Sequence, residues 1–310
     1  MKPAPFEYLR AGSVKEAVSA LRESNGEGKI LAGGQSLVPL LSMRLARPEI
    51  LVDINHIPGL DQITPLGARY PKDGTAANSI NADGGATGFG AVQIGALVRH
   101  SVLAAQSYHP LLAEAARWIG HTAIRSRGTL GGSLAHADPA AELPVLVAAL
   151  DATVNVVSGD GARSLCGSGL FTGTLQTCLA PDEMITSVDL PLPERWGFAE
   201  IARRHGDFAL VTVVAALLGG SWRVAVGGVG AVPQRAARSE EILNAGSAAR
   251  AGASPLTAQV VASAAAAAGA AVRPSSDIHA SARYRCAMTE ELTRRALVSA
   301  CISQATGEAR

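Results

Sequence analysis

Arg127-Gly128-Thr129-Leu130-Gly131-Gly132-Ser133-Leu134-Ala135-His136-Ala137-Asp138-Pro139-Ala140-Ala141-Glu142-Leu143-Pro144 sets a glycine pair and small hydroxyl residues ahead of an apolar segment. About a hundred residues earlier, Leu31-Ala32-Gly33-Gly34-Gln35-Ser36-Leu37-Val38-Pro39 does the same. Glycine lets successive N–H groups turn toward one point and lets a ligand approach the main chain closely. Two such cradles in one chain suit a long ligand with phosphates at its middle, as in a dinucleotide. Neither stretch matches G-x-G-x-x-G or G-x-x-x-x-G-K-[ST], so a Rossmann or P-loop reading finds no support.

Around the first loop the pattern is a small α/β unit. Ser13-Val14-Lys15-Glu16 reads as a capping box, with Val14, Ala17, Val18 and Leu21 at helical spacing behind it. Lys29 to Ala32 is a short strand delivering the loop, Leu37 to Leu45 a short helix, and Ile50 to Ile54 a second strand. From Leu66 to Gly90 the chain is rich in Gly, Ala, Asn and Asp and reads as a long, mobile loop. Val92 to Ala96 is then a strand, Leu97 to Ala105 a helix, and Pro110 opens another. Behind the second glycine stretch, Ala140 to Leu150 is an apolar helix, followed by strands over Thr153 to Val157 and Met184 to Leu190. Beyond residue 180, three strands and then three helices suggest an α+β unit. The expected domains are 1–60, 61–180 and 181–310.

Of the 310 residues, 48% are hydrophobic and 17% charged, which marks a compact globular chain. Lys plus Arg number 27 against 26 Asp plus Glu, and aromatics are 4%, leaving no electrostatic footprint or stacking platform for nucleic acid. Val260 to Val272, the longest apolar run, is too short to span a bilayer, and no signal peptide is evident. A soluble, cytoplasmic protein is expected. Cys166, Cys178, Cys286 and Cys301 form no Cys-x-x-Cys pair, so no zinc ribbon or iron–sulfur cluster is read here, and buried reduced thiols are expected.

Other chemistry is weak. No H-E-x-x-H or G-x-S-x-G occurs. Asp138 and Glu142 suit helix capping better than a catalytic pair. His121 and His136 read as surface or supporting residues rather than metal ligands. Arg203-Arg204-His205-Gly206-Asp207-Phe208 is a dense polar cluster compatible with a solvated turn. No catalytic or metal-ligating residue is expected.

Taken together, Ala32 to Ser36, Ile124 to Pro144, Ala202 to Ala209, Gly227 to Pro233 and Thr293 to Leu297 resemble the FAD-binding medium subunit of molybdenum-containing hydroxylases. That group includes carbon monoxide dehydrogenase and xanthine dehydrogenase. The resemblance covers nearly the whole chain. It implies an α+β protein with a vanillyl-alcohol-oxidase-like two-subdomain FAD-binding fold and a C-terminal α+β domain. Ala32, Gly33, Gly34, Gln35 and Ser36 would wrap the pyrophosphate, with Leu37 beside them. Thr129, Gly131, Gly132 and Ser133 would supply a second set of contacts. Glu142 aligns with an acidic residue that touches FAD, and Ile185 with an apolar one against it.

The resemblance also implies a division of labour. The chain would hold FAD noncovalently, a large subunit the molybdopterin cofactor, and a small iron–sulfur subunit two [2Fe–2S] clusters, as a dimer of heterotrimers. Electrons would run from substrate through the clusters to FAD and an external acceptor, and an N-heteroaromatic substrate is slightly favoured. A self-contained flavoprotein oxidase or reductase is the alternative, and a non-enzymatic nucleotide-binding module the third reading.

Overall fold

The computed structural model describes residues 2–66, 90–248 and 256–302. All but the end residues of the expected 66–90 loop lie outside them. The first unit comprises β1 (Glu7–Arg10), α1 (Val14–Glu23), β2 (Gly28–Leu31), α2 (Leu37–Ser42) and β3 (Ile50–Asp53). Its three strands are parallel, in the order β1-β3-β2. Because Leu31 is level with Asp53 in this sheet, the chain leaving β3 emerges beside the first glycine loop. At α1, Ser13 Oγ accepts from the Glu16 N–H at 3.1 Å. The Glu16 carboxylate, however, takes the Gly12 N–H at 2.8 Å rather than that of Ser13, so the expected box closes one residue early.

The second unit comprises β4 (Ile63–Leu66), β5 (Ala91–Gly95), α3 (His100–Ala105), α4 (Pro110–Trp118), α5 (Thr122–Arg125), α6 (Leu130–His136), α7 (Glu142–Leu150), β6 (Thr153–Ser158), β7 (Gly161–Cys166), β8 (Phe171–Gly173), β9 (Gln176–Thr177) and β10 (Met184–Pro191). Its five-stranded antiparallel sheet runs β4-β5-β10-β6-β7. The second glycine stretch is therefore no loop: Leu130 to His136 is helical, and Thr129 caps it by accepting the Gly132 N–H at 3.2 Å. The expected apolar helix over Ala140 to Leu150 is present as α7, and α6 is an additional helix ahead of it, ended by Ala137 in a left-handed conformation, φ +53°. Since β10 pairs with β5 and β6, the division before the last unit is better drawn between Pro191 and Arg195 than near 180.

The third unit is an antiparallel sheet, β11 (Arg195–Ala202), β12 (Ala209–Leu218), β13 (Ser221–Gly227) and β14 (Gln234–Arg235), followed by α8 (Ala237–Ala248), α9 (Ala258–Ala271) and α10 (Ala282–Ile302). Side chains alternate across a strand, so Val211, Val213 and Ala215 of β12 meet Ala264, Leu292 and Leu297 of the helices. Val214 and Ala216 face the other way, into a core shared with Leu143, Leu146 and Leu150 of α7. With both faces covered, β12 reads as an apolar run interrupted only by Thr212. Every residue of α7 is buried, so this helix is the keel between the second and third units. The four cysteines are unpaired as expected, yet none is buried: Cys166 is exposed and the others are half-buried.

Candidate functional site: a cleft between three units

The three units enclose one cleft of about 1730 Å³. That exceeds the roughly 300–1,000 Å³ usual for a compact small-molecule pocket and suits an extended ligand. All twelve residues expected from the sequence, Ala32, Gly33, Gly34, Gln35, Ser36, Leu37, Thr129, Gly131, Gly132, Ser133, Glu142 and Ile185, line it.

The two glycine stretches do different work there. In the first, the N–H groups of Gly33, Gly34, Gln35 and Ser36 donate to no protein acceptor among the described residues. Gly33 is buried and Gly34 and Gln35 are half-buried, where backbone donors are nearly always paired, so these three together with the exposed Ser36 form a ready anion cradle at the cleft. Gly34 sits at φ +73°, where glycine carries no Cβ penalty. In the second stretch the donors are mostly committed. Leu130 N–H bonds Val98 O at 3.1 Å, Gly131 N–H bonds Ala96 O at 2.8 Å, and Gly132 N–H bonds Thr129 Oγ1. Glycine is needed here for close approach, since a Cβ on Gly131 would lie 2.6 Å from that of Ala96. A Cβ on Gly33 would lie 2.2 Å from Arg127 O, so the two stretches touch backbone to backbone.

Glu142 opens α7 with 7% of its surface exposed, and lines the cleft. Burial raises its pKa, and the neighbouring Asp138 adds to the shift. Behind it, Glu200 of β11 is also buried and shifted upward by burial and by Glu142. The Thr212 hydroxyl donates to Glu200 Oε2 at 3.0 Å. Asp138 instead behaves as a cap, Oδ1 accepting the Ala140 N–H at 2.8 Å. Two like charges in so dry a place cannot both persist, so the pair holds a proton at neutral pH.

Residues of the third unit complete the wall, and sequence reasoning missed the main one. Arg285 of α10 lines the cleft, buried, donating to Leu210 O at 2.5 Å, Gly228 O at 2.9 Å and Asp277 at 2.7 Å. It pins the ends of β12 and β13, while Gly228 N–H bonds Pro139 O at 2.9 Å and ties that wall to the second unit. In sequence it is one more arginine in an arginine-rich helix. The polar cluster at 203–208 is the β11–β12 turn; Gly206 packs on the His121 ring, and Phe208 stands 73% exposed at the cleft rim. His205 meets Trp118 edge-on at 5.6 Å. His136 ends α6, and no grouping of His, Cys, Asp or Glu fit for a metal occurs among the described residues.

An elongated cleft with an anion cradle, walled by an α/β unit and an α+β cap, defines a nucleotide-cofactor protein. FAD fits these residues: the unpaired donors at Gly33 to Ser36 match a pyrophosphate, and the buried Glu142 carboxyl lines the same cleft. Residues 4–70 and 83–193 match the FAD-binding domain of molybdopterin dehydrogenases, and residues 196–300 the C-terminal domain of the carbon monoxide dehydrogenase flavoprotein. The nicotine 6-hydroxylase medium subunit of Paenarthrobacter nicotinovorans is 36% identical over 97% of this chain and 99% of its own. The carbon monoxide dehydrogenase medium chain of Hydrogenophaga pseudoflava is 32% identical over 97% and 98%. Among solved structures, quinoline 2-oxidoreductase from Pseudomonas putida 86 superposes with a TM-score of 0.82 at 32% identity, over 98% of this chain and 99% of that one. The chain belongs to the FAD-binding medium-subunit family of molybdenum hydroxylases. It is thus a flavoprotein subunit of an oxidoreductase complex, with the α+β architecture expected of it. Among the described residues no helix is long and apolar enough to cross a membrane.

Proposed function

We propose that this chain is the electron-transfer subunit of its complex: FAD, held noncovalently in the cleft, accepts electrons that arrive from iron–sulfur clusters and passes them to an external acceptor. The observation that carries this reading is the run of unpaired N–H groups at Gly33 to Ser36, in a cleft without metal-ligand groupings among the described residues. Ala32 to Leu37 bind the pyrophosphate through those N–H groups. Thr129, Gly131, Gly132 and Ser133 form the surface against which it lies. Glu142 accepts or donates a hydrogen bond according to its protonation, and Glu200 behind it keeps a proton within reach of the cleft. Ile185, buried in β10, supplies an apolar wall that excludes water.

The partners proposed are a large subunit carrying the molybdopterin cofactor and a small subunit with two [2Fe–2S] clusters, assembled as a dimer of heterotrimers in the cytoplasm. The substrate class proposed for the complex is an N-heteroaromatic ring. Its support is the similarity to the nicotine and quinoline enzymes named above. Co-expression with the neighbouring reading frames, followed by purification through a tag on this chain, is the test. Recovery of molybdenum, iron and FAD in one complex supports the reading; a flavin-replete chain that turns over a substrate without either metal overturns it.

A further inference from the structure

We infer that Asn55 and Arg99, neither of which borders the cleft, form a clamp that turns the first glycine loop's N–H groups into it. Both residues line a separate hollow with His56, Asp61 and Val102. The inference rests on reading Gly33 to Ser36 as the pyrophosphate cradle.

The geometry begins at the end of β3. Asp53 is buried, and its carboxylate takes the Tyr8 hydroxyl at 2.5 Å, the Asn55 N–H at 2.9 Å and Asn55 Nδ2 at 2.7 Å. These bonds fix the Asn55 amide with Nδ2 toward Asp53 and the first loop. Nδ2 then donates to Ala32 O at 2.9 Å and Leu31 O at 3.3 Å. On its other side, Asn55 Oδ1 accepts from Arg99 Nη2 at 2.7 Å. The second guanidinium nitrogen, Nη1, donates to Arg127 O. That carbonyl is the one against which Gly33 packs. One continuous chain of hydrogen bonds therefore runs from the β-sheet through Asn55 and Arg99 to both glycine stretches.

The effect on the cradle follows from peptide geometry. In a trans peptide the C=O of one residue and the N–H of the next point in opposite directions. Anchoring Ala32 O on the Asn55 side therefore aims the Gly33 N–H the other way, toward the cleft that Gly33 lines. Without the anchor this peptide can rotate, because glycine at position 33 resists little. Fixing Arg127 O sets how close Gly33 can come and so where the following N–H groups stand. Arg99 suits this task because a planar guanidinium offers two donors at fixed separation, which lysine lacks. Its pKa is held below the ordinary arginine value by burial first and by the Arg127 charge second, while Asp53 and Asp61 oppose that shift. Asn55 and Arg99 are positioning residues: they touch the loops, and the loops touch the ligand.

The test uses the full-length chain freed of flavin and titrated with FAD and, separately, with riboflavin, which has no phosphate. Asn55→Ala and Arg99→Met are expected to weaken FAD by about tenfold or more, since each removes charge-assisted or buried hydrogen bonds. Riboflavin affinity should stay within about twofold, and Arg99→Lys should recover part of the loss, as one retained donor allows. Amide chemical shifts of Gly33 to Ser36 on FAD addition separate the two ideas. Wild-type shifts that move with FAD, together with FAD affinity unchanged in both variants, overturn the clamp alone. Wild-type shifts that do not move overturn the cradle and the clamp with it. Equal loss of FAD and riboflavin in the variants also overturns the clamp, because it marks general disruption.

Discussion

Replacing Gly33 by alanine puts the central geometry under the sharpest strain. The added Cβ would stand 2.2 Å from Arg127 O, 2.9 Å from Arg127 C and 3.0 Å from Gly128 Cα, all backbone atoms. Ordinary carbon–oxygen contact needs a separation about 1 Å larger, so one glycine stretch must retreat from the other. No flexible side chain is available to absorb this. Overpacking of this kind costs about 1–3 kcal/mol of stability. A displaced cradle weakens hydrogen bonds to the charged pyrophosphate, each worth about 1.5–3 kcal/mol, so FAD affinity should fall about tenfold to a hundredfold. Gly34→Ala is the internal comparison: its neighbours at 3.2 Å are the Leu31 and Val38 side chains, and its burden is the left-handed φ, worth about 1–2 kcal/mol. The assay is fluorescence titration of the flavin-free chain with FAD, alongside the melting temperature of each variant. Gly33→Ala should lose much more FAD affinity than Gly34→Ala. A Gly33→Ala chain that melts and binds FAD like the wild type would refute the contact between the two stretches.

The buried carboxyl pair yields a pH signature. A carboxyl with a raised folded pKa stays protonated after its unfolded counterpart ionises, so stability falls as pH rises from the ordinary carboxyl range through the folded value. Glu200→Gln, which mimics the protonated acid and keeps an acceptor for Thr212, should remove part of that fall and raise the melting temperature at pH 9 relative to pH 6; parallel pH profiles for variant and wild type would refute it. Glu142→Ala should weaken FAD by about 1–3 kcal/mol through loss of a buried hydrogen bond, read by the same titration. His109 is wholly buried; its Nδ1 accepts the Leu112 N–H, its Nε2 lies 3.1 Å from Pro191 O, and burial depresses its pKa to about 4. The unfolded state then binds a proton that the folded state refuses, so stability should drop by about 3 kcal/mol between the ordinary histidine range and pH 4. In His109→Gln that acid loss should be smaller by denaturant midpoint; an unchanged loss would assign it elsewhere. Heating or acid should release intact FAD, and flavin left on the denatured chain would contradict noncovalent binding.

What could be read from the sequence was chemistry with a strong local signature. Gly33-Gly34 between a strand and a short helix marked the cradle, and Ser13 marked the start of α1. The helix α6 was missed because Gly131-Gly132 lowers helix propensity. Its stability comes from Thr129 as a cap and from packing against Ala96, which no local pattern reveals. β1 was passed over because it is short and turns a single apolar residue inward: Leu9 is half-buried while Glu7, Tyr8 and Arg10 stay exposed, and only its pairing with β3 makes it a strand. The pair Glu142 and Glu200 could not be recognised either, because the two meet only when α7 lies across the β12–β13 sheet. There Gly227, the partner of Thr212, leaves room for Val145, one turn along the helix from Glu142. Asn55 and Arg99 look like ordinary turn and surface residues in sequence. Only the parallel register of β2 and β3 sets Asn55 beside Ala32.

Stopped-flow reduction of the bound flavin by an N-heteroaromatic such as nicotine bears most directly on the electron-transfer role. The isolated chain, loaded with FAD, should show no rapid bleaching with this compound. The complex assembled with its molybdenum and iron–sulfur subunits should bleach promptly, with cluster signals changing before or together with the flavin. Rapid bleaching of the isolated chain would contradict the electron-transfer role and mark a self-contained dehydrogenase.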